Sequence, residues 1–77
     1  MKPEKLRQLH GARPFQPFRI HLADGRTIPV PHPEWMMITT SGRTAYITQR
    51  DDSVNIIDVL LIQELEIMPP AKAKARK

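Results

Sequence analysis

Three histidines, at positions 10, 21 and 32, are the side chains best suited to move a proton or hold a transition metal near neutral pH. His32-Pro33-Glu34 sets an imidazole two residues from a carboxylate. Zinc deaminases use a histidine and a glutamate so, but complete the metal with two further ligands, normally cysteines. This chain has no cysteine, which also excludes a disulfide scaffold and any thiolate site. The plainer reading is a turn, with Pro33 fixing the backbone and His32 or Glu34 capping an amide. The three histidines are too far apart to show a ligand spacing, so surface or capping roles are expected. Asp51-Asp52 supplies too few oxygens for a hard cation and reads as a polar turn. Ser41 and Ser53 lie in turn sequences without a strand–turn–helix elbow, and three scattered glycines make no phosphate loop. Asp58 stands among apolar neighbours, where an unpartnered carboxylate is costly, and is expected to cap a short 3₁₀ turn. The chain is therefore expected to have no catalytic residues, no metal site and no cofactor.

Binding chemistry is better represented. Trp35 and Tyr46 each belong either to the core or to a stacking platform, with Arg19 or Arg43, for unpaired bases or a peptide. Met36 and Met37 alternate faces, so one of them is expected at a surface, and Met36 is taken with Trp35 as the partner-facing pair. The charge is unevenly placed. Residues 1–14 carry net +3, residues 15–70 net −3, and residues 71–77 net +4 from Lys72, Lys74, Arg76 and Lys77. The pI of about 10.0 thus belongs to the ends. Any affinity for nucleic acid is expected to be weak, non-specific and carried by that C-terminal run rather than by the net-acidic body.

The elements that must position these residues can be read from periodicity. Residues 3–10 form a short helix, with Pro3 in the first turn, Glu4 near the positive end of the dipole and Gly11 as the stop. From Phe15 the period becomes two: Phe18, Ile20 and Leu22 alternate with Arg19, His21 and Ala23, and Asp24-Gly25 turns the chain. Ile28 and Val30 return, with Pro29 and Pro31 turning their donor-less nitrogens to an edge or bend. Trp35–Thr39 and Thr44–Thr48 read as strands, Arg50–Ser53 as a polar turn, and Val54 with Ile56 as a further apolar segment. A 3₁₀ turn over Val59–Leu61 redirects the chain near Ile62 into a last strand holding Leu65 and Ile67. The expected core is Phe18, Ile20, Leu22, Ile28, Val30, Ile47, Ile56, Leu65 and Ile67. Residues 69–77 are expected to be a disordered basic tail behind one domain over residues 1–68. No apolar run approaches the roughly 20 residues that span a bilayer, so a cytoplasmic, soluble protein is expected.

Arg13-Pro14-Phe15-Gln16-Pro17-Phe18-Arg19-Ile20-His21-Leu22-Ala23-Asp24-Gly25-Arg26, His32-Pro33-Glu34 and Ile57-Asp58-Val59-Leu60-Leu61-Ile62 together resemble a family of small uncharacterised bacterial proteins. The arrangement is also similar to SH3-like and Sm-like barrels. That resemblance implies an all-β fold: a five-stranded antiparallel barrel with a short N-terminal helix. Sm-like proteins carry an Arg-Gly pair before the last strand; Ile57-Asp58-Val59 stands there instead, so no RNA site transfers. The expected function is a non-enzymatic binding or adaptor module that recognises a protein partner or itself. The alternative is a nucleic-acid-binding protein that draws affinity from its basic tail.

Overall fold

The computed structural model describes residues 2–68; the expected tail over residues 69–77 lies outside them. The period-two segment becomes β1 (Phe18–Leu22), which buries Phe18, Ile20 and Leu22 and turns Arg19 and His21 outward. Gly25, at φ 95°, makes the tight turn, and the Asp24 carboxylate accepts from the Arg26 N–H at 3.1 Å. The chain returns as β2 (Thr27–Val30), pairing Ile20 with Ile28 and Phe18 with Val30. Leu22 N–H bonds Arg26 O at 2.9 Å, which places the hydrogen-bonded pairs at Ile20/Ile28 and Phe18/Val30. Pro29 therefore turns its nitrogen to the open side of an edge strand, as its missing donor requires.

A 3₁₀ turn over Pro33–Trp35 then carries the chain into β3 (Met36–Ile38), which pairs with β4 (Thr44–Thr48). Neither His32 nor Glu34 caps that turn: His32 stands at the cap position without a side-chain bond. β5 (Val54–Asp58) pairs with β4, and β6 (Ile62–Ile67) pairs with β1. Between them the Asp58 carboxylate accepts from the Leu60 N–H at 2.9 Å, capping the 3₁₀ turn over Val59–Leu61 as expected.

The architecture is mostly β, with two three-stranded antiparallel sheets, β2-β1-β6 and β3-β4-β5, and one short helix. Among the described residues there are six strands rather than five, and no ladder joins one sheet to the other. The difference has a local cause. The His32-Pro33-Glu34 kink is not a bend within one continuous strand. It is a full 3₁₀ turn that ends β2 in the first sheet and starts β3 in the second, and Pro31 and Pro33 bring no N–H to a ladder that would bridge them.

The core gathers side chains from both sheets, from the second 3₁₀ turn and from the helix α1 (Pro3–His10). Phe18, Ile20, Val30, Ile47 and Val59 are fully buried, as is Leu6 of α1. Gly11 ends α1 through its N–H on Arg7 O at 2.9 Å. Arg7 donates to the Thr39 and Thr40 carbonyls at 3.2 and 2.8 Å, which pins the helix to the β3–β4 turn. Two expected core positions, Ile56 and Ile67, are corrected, and Leu65 packs against the core while only partly buried. Ile56 is 63% exposed and Ile57 takes its place, because the register sets Ile57 opposite buried Ala45 and Ile56 opposite outward-facing Tyr46. Leu65 and Ile67 do face inward, opposite Ile20 and Phe18. But β6 is an edge strand, so Leu65 is only partly covered and Ile67 stays half exposed, while Ile62 is buried.

Asp24, Asp51, Asp58 and Glu66 are all held below their ordinary values, and the last two tie separate elements of the fold together. The Leu60 N–H, with help from Arg43, holds Asp58 below its ordinary value of 3.8. The His21 ring nitrogen at 2.9 Å, and then Arg19, hold Glu66 below its ordinary 4.5. A carboxylate whose pKa is lowered by folding stabilises fully above its unfolded value, and the contribution is lost as pH falls through the folded one. The melting temperature should therefore be insensitive to these groups above pH 4.5 and fall below it. Asp58→Asn should flatten the part of the thermal-melt profile below pH 3.8. An unchanged acid slope in that variant would remove Asp58 from the account.

Candidate binding surfaces

Trp35 closes the first 3₁₀ turn and is half-buried. With Pro29 and Pro31 it forms one wall of an open cleft of about 430 Å³, whose other wall is the β4–β5 turn through Gln49, Arg50, Asp51 and Ser53. The Arg50 guanidinium lies over the indole, 5.6 Å from the ring centroid, and the His32 ring stands 5.5 Å from it, tilted by 59°. Local hydrogen bonds shape the turn. The Asp51 carboxylate accepts from the Ser53 hydroxyl at 2.6 Å and N–H at 3.0 Å, which holds its pKa low. Asp52 takes the left-handed conformation at φ 71°, which aspartate tolerates in turns. The cleft thus offers a flat aromatic and prolyl surface with one cation and one carboxylate at its rim.

Other expected binding residues are dispersed. Arg19 donates to Glu66 at 3.3 Å, and Arg43 donates to Asp58 at 3.2 Å; neither is paired with Trp35 or Tyr46. Met36 is buried, 4% exposed, because it sits on the inward face opposite Ile47; Met37 is the exposed one of the pair. Tyr46 is half-buried on the outer face of the second sheet, between Met37 of β3 and Ile56 of β5. Those three side chains form an apolar row across all three strands, with Met37 57% and Ile56 63% exposed. Lys72, Lys74, Arg76 and Lys77 lie outside the described residues.

The chain matches no family model, no curated protein and no solved structure.

Among the described residues no three histidine, aspartate or glutamate side chains converge as metal ligands. Each histidine has its own neighbours: His10 bonds the Pro33 carbonyl at 2.8 Å, His21 meets Glu66 and Thr27, and His32 meets Trp35. Among the described residues no helix is long and apolar enough to cross a membrane. Arg50 is the contributor that sequence reasoning missed. Its place follows from the β3–β4 register, in which Met36 faces Ile47. Extending it by one pair sets Trp35 against Thr48, whose hydroxyl donates to the Trp35 carbonyl at 3.4 Å, and places Arg50 one step further along the same face.

Proposed function

We propose that this protein is a non-enzymatic binding module that recognises an extended, proline-bearing segment of a protein partner in the Trp35 cleft. The observation that carries the reading is the cleft itself, in which Trp35, Pro29 and Pro31 are set against a polar turn. Aromatic and prolyl faces favour a polyproline II chain, which is already extended and loses little entropy on docking. Pro29 and Pro31 bring no N–H, so recognition there rests on side-chain packing rather than strand addition. Arg50 and Asp51 supply polar contacts at the rim. An SH3-like or Sm-like barrel opened at its two 3₁₀ corners is the fold reading that goes with this function. A protein partner is favoured over nucleic acid because Arg19 and Arg43 are engaged by carboxylates, and residues 15–70 carry net −3.

Trp35 is the sole tryptophan, so its emission reports the cleft directly. Titration with a proline decapeptide should give a saturable change in emission, with a dissociation constant of roughly 10 μM to 1 mM for so small a site. Arg50→Ala should weaken that affinity by about threefold to tenfold, the loss of roughly one hydrogen bond from the rim to the peptide. A flat emission trace up to millimolar peptide contradicts the reading.

A further inference from the structure

We infer that two copies of this chain associate through β5, edge to edge and antiparallel, about a two-fold axis at Ile56. The inference is independent of the Trp35 cleft, none of whose lining residues belongs to β5.

Among the described residues each sheet ends in two open strands, and an open strand presents N–H and C=O groups that template another strand unless it is guarded. Three of the four are guarded. β2 carries Pro29 with its nitrogen outward. β3 is only three residues long. β6 has an irregular register beside His21/Leu22, which leaves Gln63 without a partner on β1, and it carries Glu64 and Glu66. β5 has five residues in continuous register, no proline, no lysine and no bulge.

Its backbone is set for pairing. The Val59 N–H to Arg43 O bond and the Gln49 N–H to Ser53 O bond bracket the β4–β5 ladder. Alternation then directs the Asn55 and Ile57 backbone groups to β4, and those of Val54, Ile56 and Asp58 to the open side. Three outward-directed residues centred on Ile56 make the edge self-complementary. Ile56 faces Ile56 of the second copy, and Val54 faces Asp58 at both ends. No like charges stand opposite one another, and each Asp58 keeps its Arg43 partner at 3.2 Å. The axis is perpendicular to the sheet, so the row Met37–Tyr46–Ile56 continues across it and the outer faces form one apolar surface. Ile56 and Val54, 63% and 50% exposed in the single chain, are the side chains that pairing covers. A partner strand of different sequence lacks this symmetry, which is why a second copy is the occupant.

Sedimentation equilibrium from micromolar to near-millimolar protein tests the inference. The fitted mass should rise from monomer to dimer, with a dissociation constant on the order of 0.1 mM for a small interface. Ile56→Lys sets two ammonium groups across the axis and should raise that constant by at least about tenfold. Val54→Lys, by contrast, sets an ammonium opposite Asp58 of the second copy and should preserve or tighten the dimer. Met37→Lys, two strands from the axis, should leave it unchanged. Thermal melts of all three variants show whether each is folded, and the Val54 and Met37 variants keep the test decisive if Ile56→Lys unfolds. A constant monomer mass across the range overturns the inference. So does loss of the dimer in Met37→Lys, which would mean that the outer faces stack.

Discussion

Phe18→Ala should leave the chain largely unfolded at 37 °C. The ring is fully buried in β1, in the centre of its sheet. Val30 and Ile67 stand opposite it on the two flanking strands, and Phe15 lies at 5.9 Å between ring centroids. Removing a buried phenylalanine side chain costs about 3–5 kcal/mol in transfer and cavity terms. A domain of this size has only roughly 4–10 kcal/mol to lose. Each kcal/mol shifts the midpoint by about 4–8 °C at this length, so a loss of at least about 12 °C is expected by calorimetry or circular dichroism. Ile47→Ala, in the middle strand of the other sheet and equally buried, should follow with about 2–5 kcal/mol. A Phe18→Ala midpoint within a few degrees of wild type would mean that the two sheets do not share one core.

Gly42→Ala should be about as damaging as Ile47→Ala, although it adds a single methyl group. Gly42 has φ 79°, a conformation that disfavours an L side chain by about 1–2 kcal/mol. A Cβ built there would stand 2.7 Å from Pro3 Cβ and 3.1 Å from an Arg7 guanidinium nitrogen. The Pro3 ring is closed onto the chain at the first residue of α1 and cannot swing away, so relief requires α1 to shift, and Leu6 is the residue that the shift uncovers. Burying a leucine contributes about 1.5–3 kcal/mol, so together with the backbone strain a loss of roughly 2.5–5 kcal/mol is expected. A double-mutant cycle identifies the cause. Leu6→Ala alone should be costly, but in the Gly42→Ala background it should cost much less, because the helix is already displaced. Full additivity would place the damage in the turn alone.

What the sequence shows and what it hides differ by element. β1 was legible because polar residues alternate with Phe18, Ile20 and Leu22 without interruption. The helix, the Asp24-Gly25 turn and the Asp58-capped 3₁₀ turn were legible because each depends on local chemistry. β5 was not. Ile56 and Ile57 are adjacent and equally apolar, so their faces are decided by pairing with Tyr46 and Ala45. Met36 and Met37 posed the same problem, settled by Ile47. Separation into two sheets was hidden because a proline-rich kink within a bent strand and one between two strands have the same composition. In the cleft, Trp35 was legible as a candidate by residue type. Arg50 was not, since its place over the indole follows from strand register.

Protein recognition at the Trp35 cleft is tested most directly by amide and indole chemical-shift mapping of the isotope-labelled full chain during titration with the proline decapeptide. The largest shifts should gather at the Trp35 indole N–H and at the amides of Gln49, Arg50, Asp51 and Ser53, with Asp24 and Gly25 at the far hairpin unmoved. Shifts that gather elsewhere, or a spectrum that does not change at millimolar peptide, would contradict it.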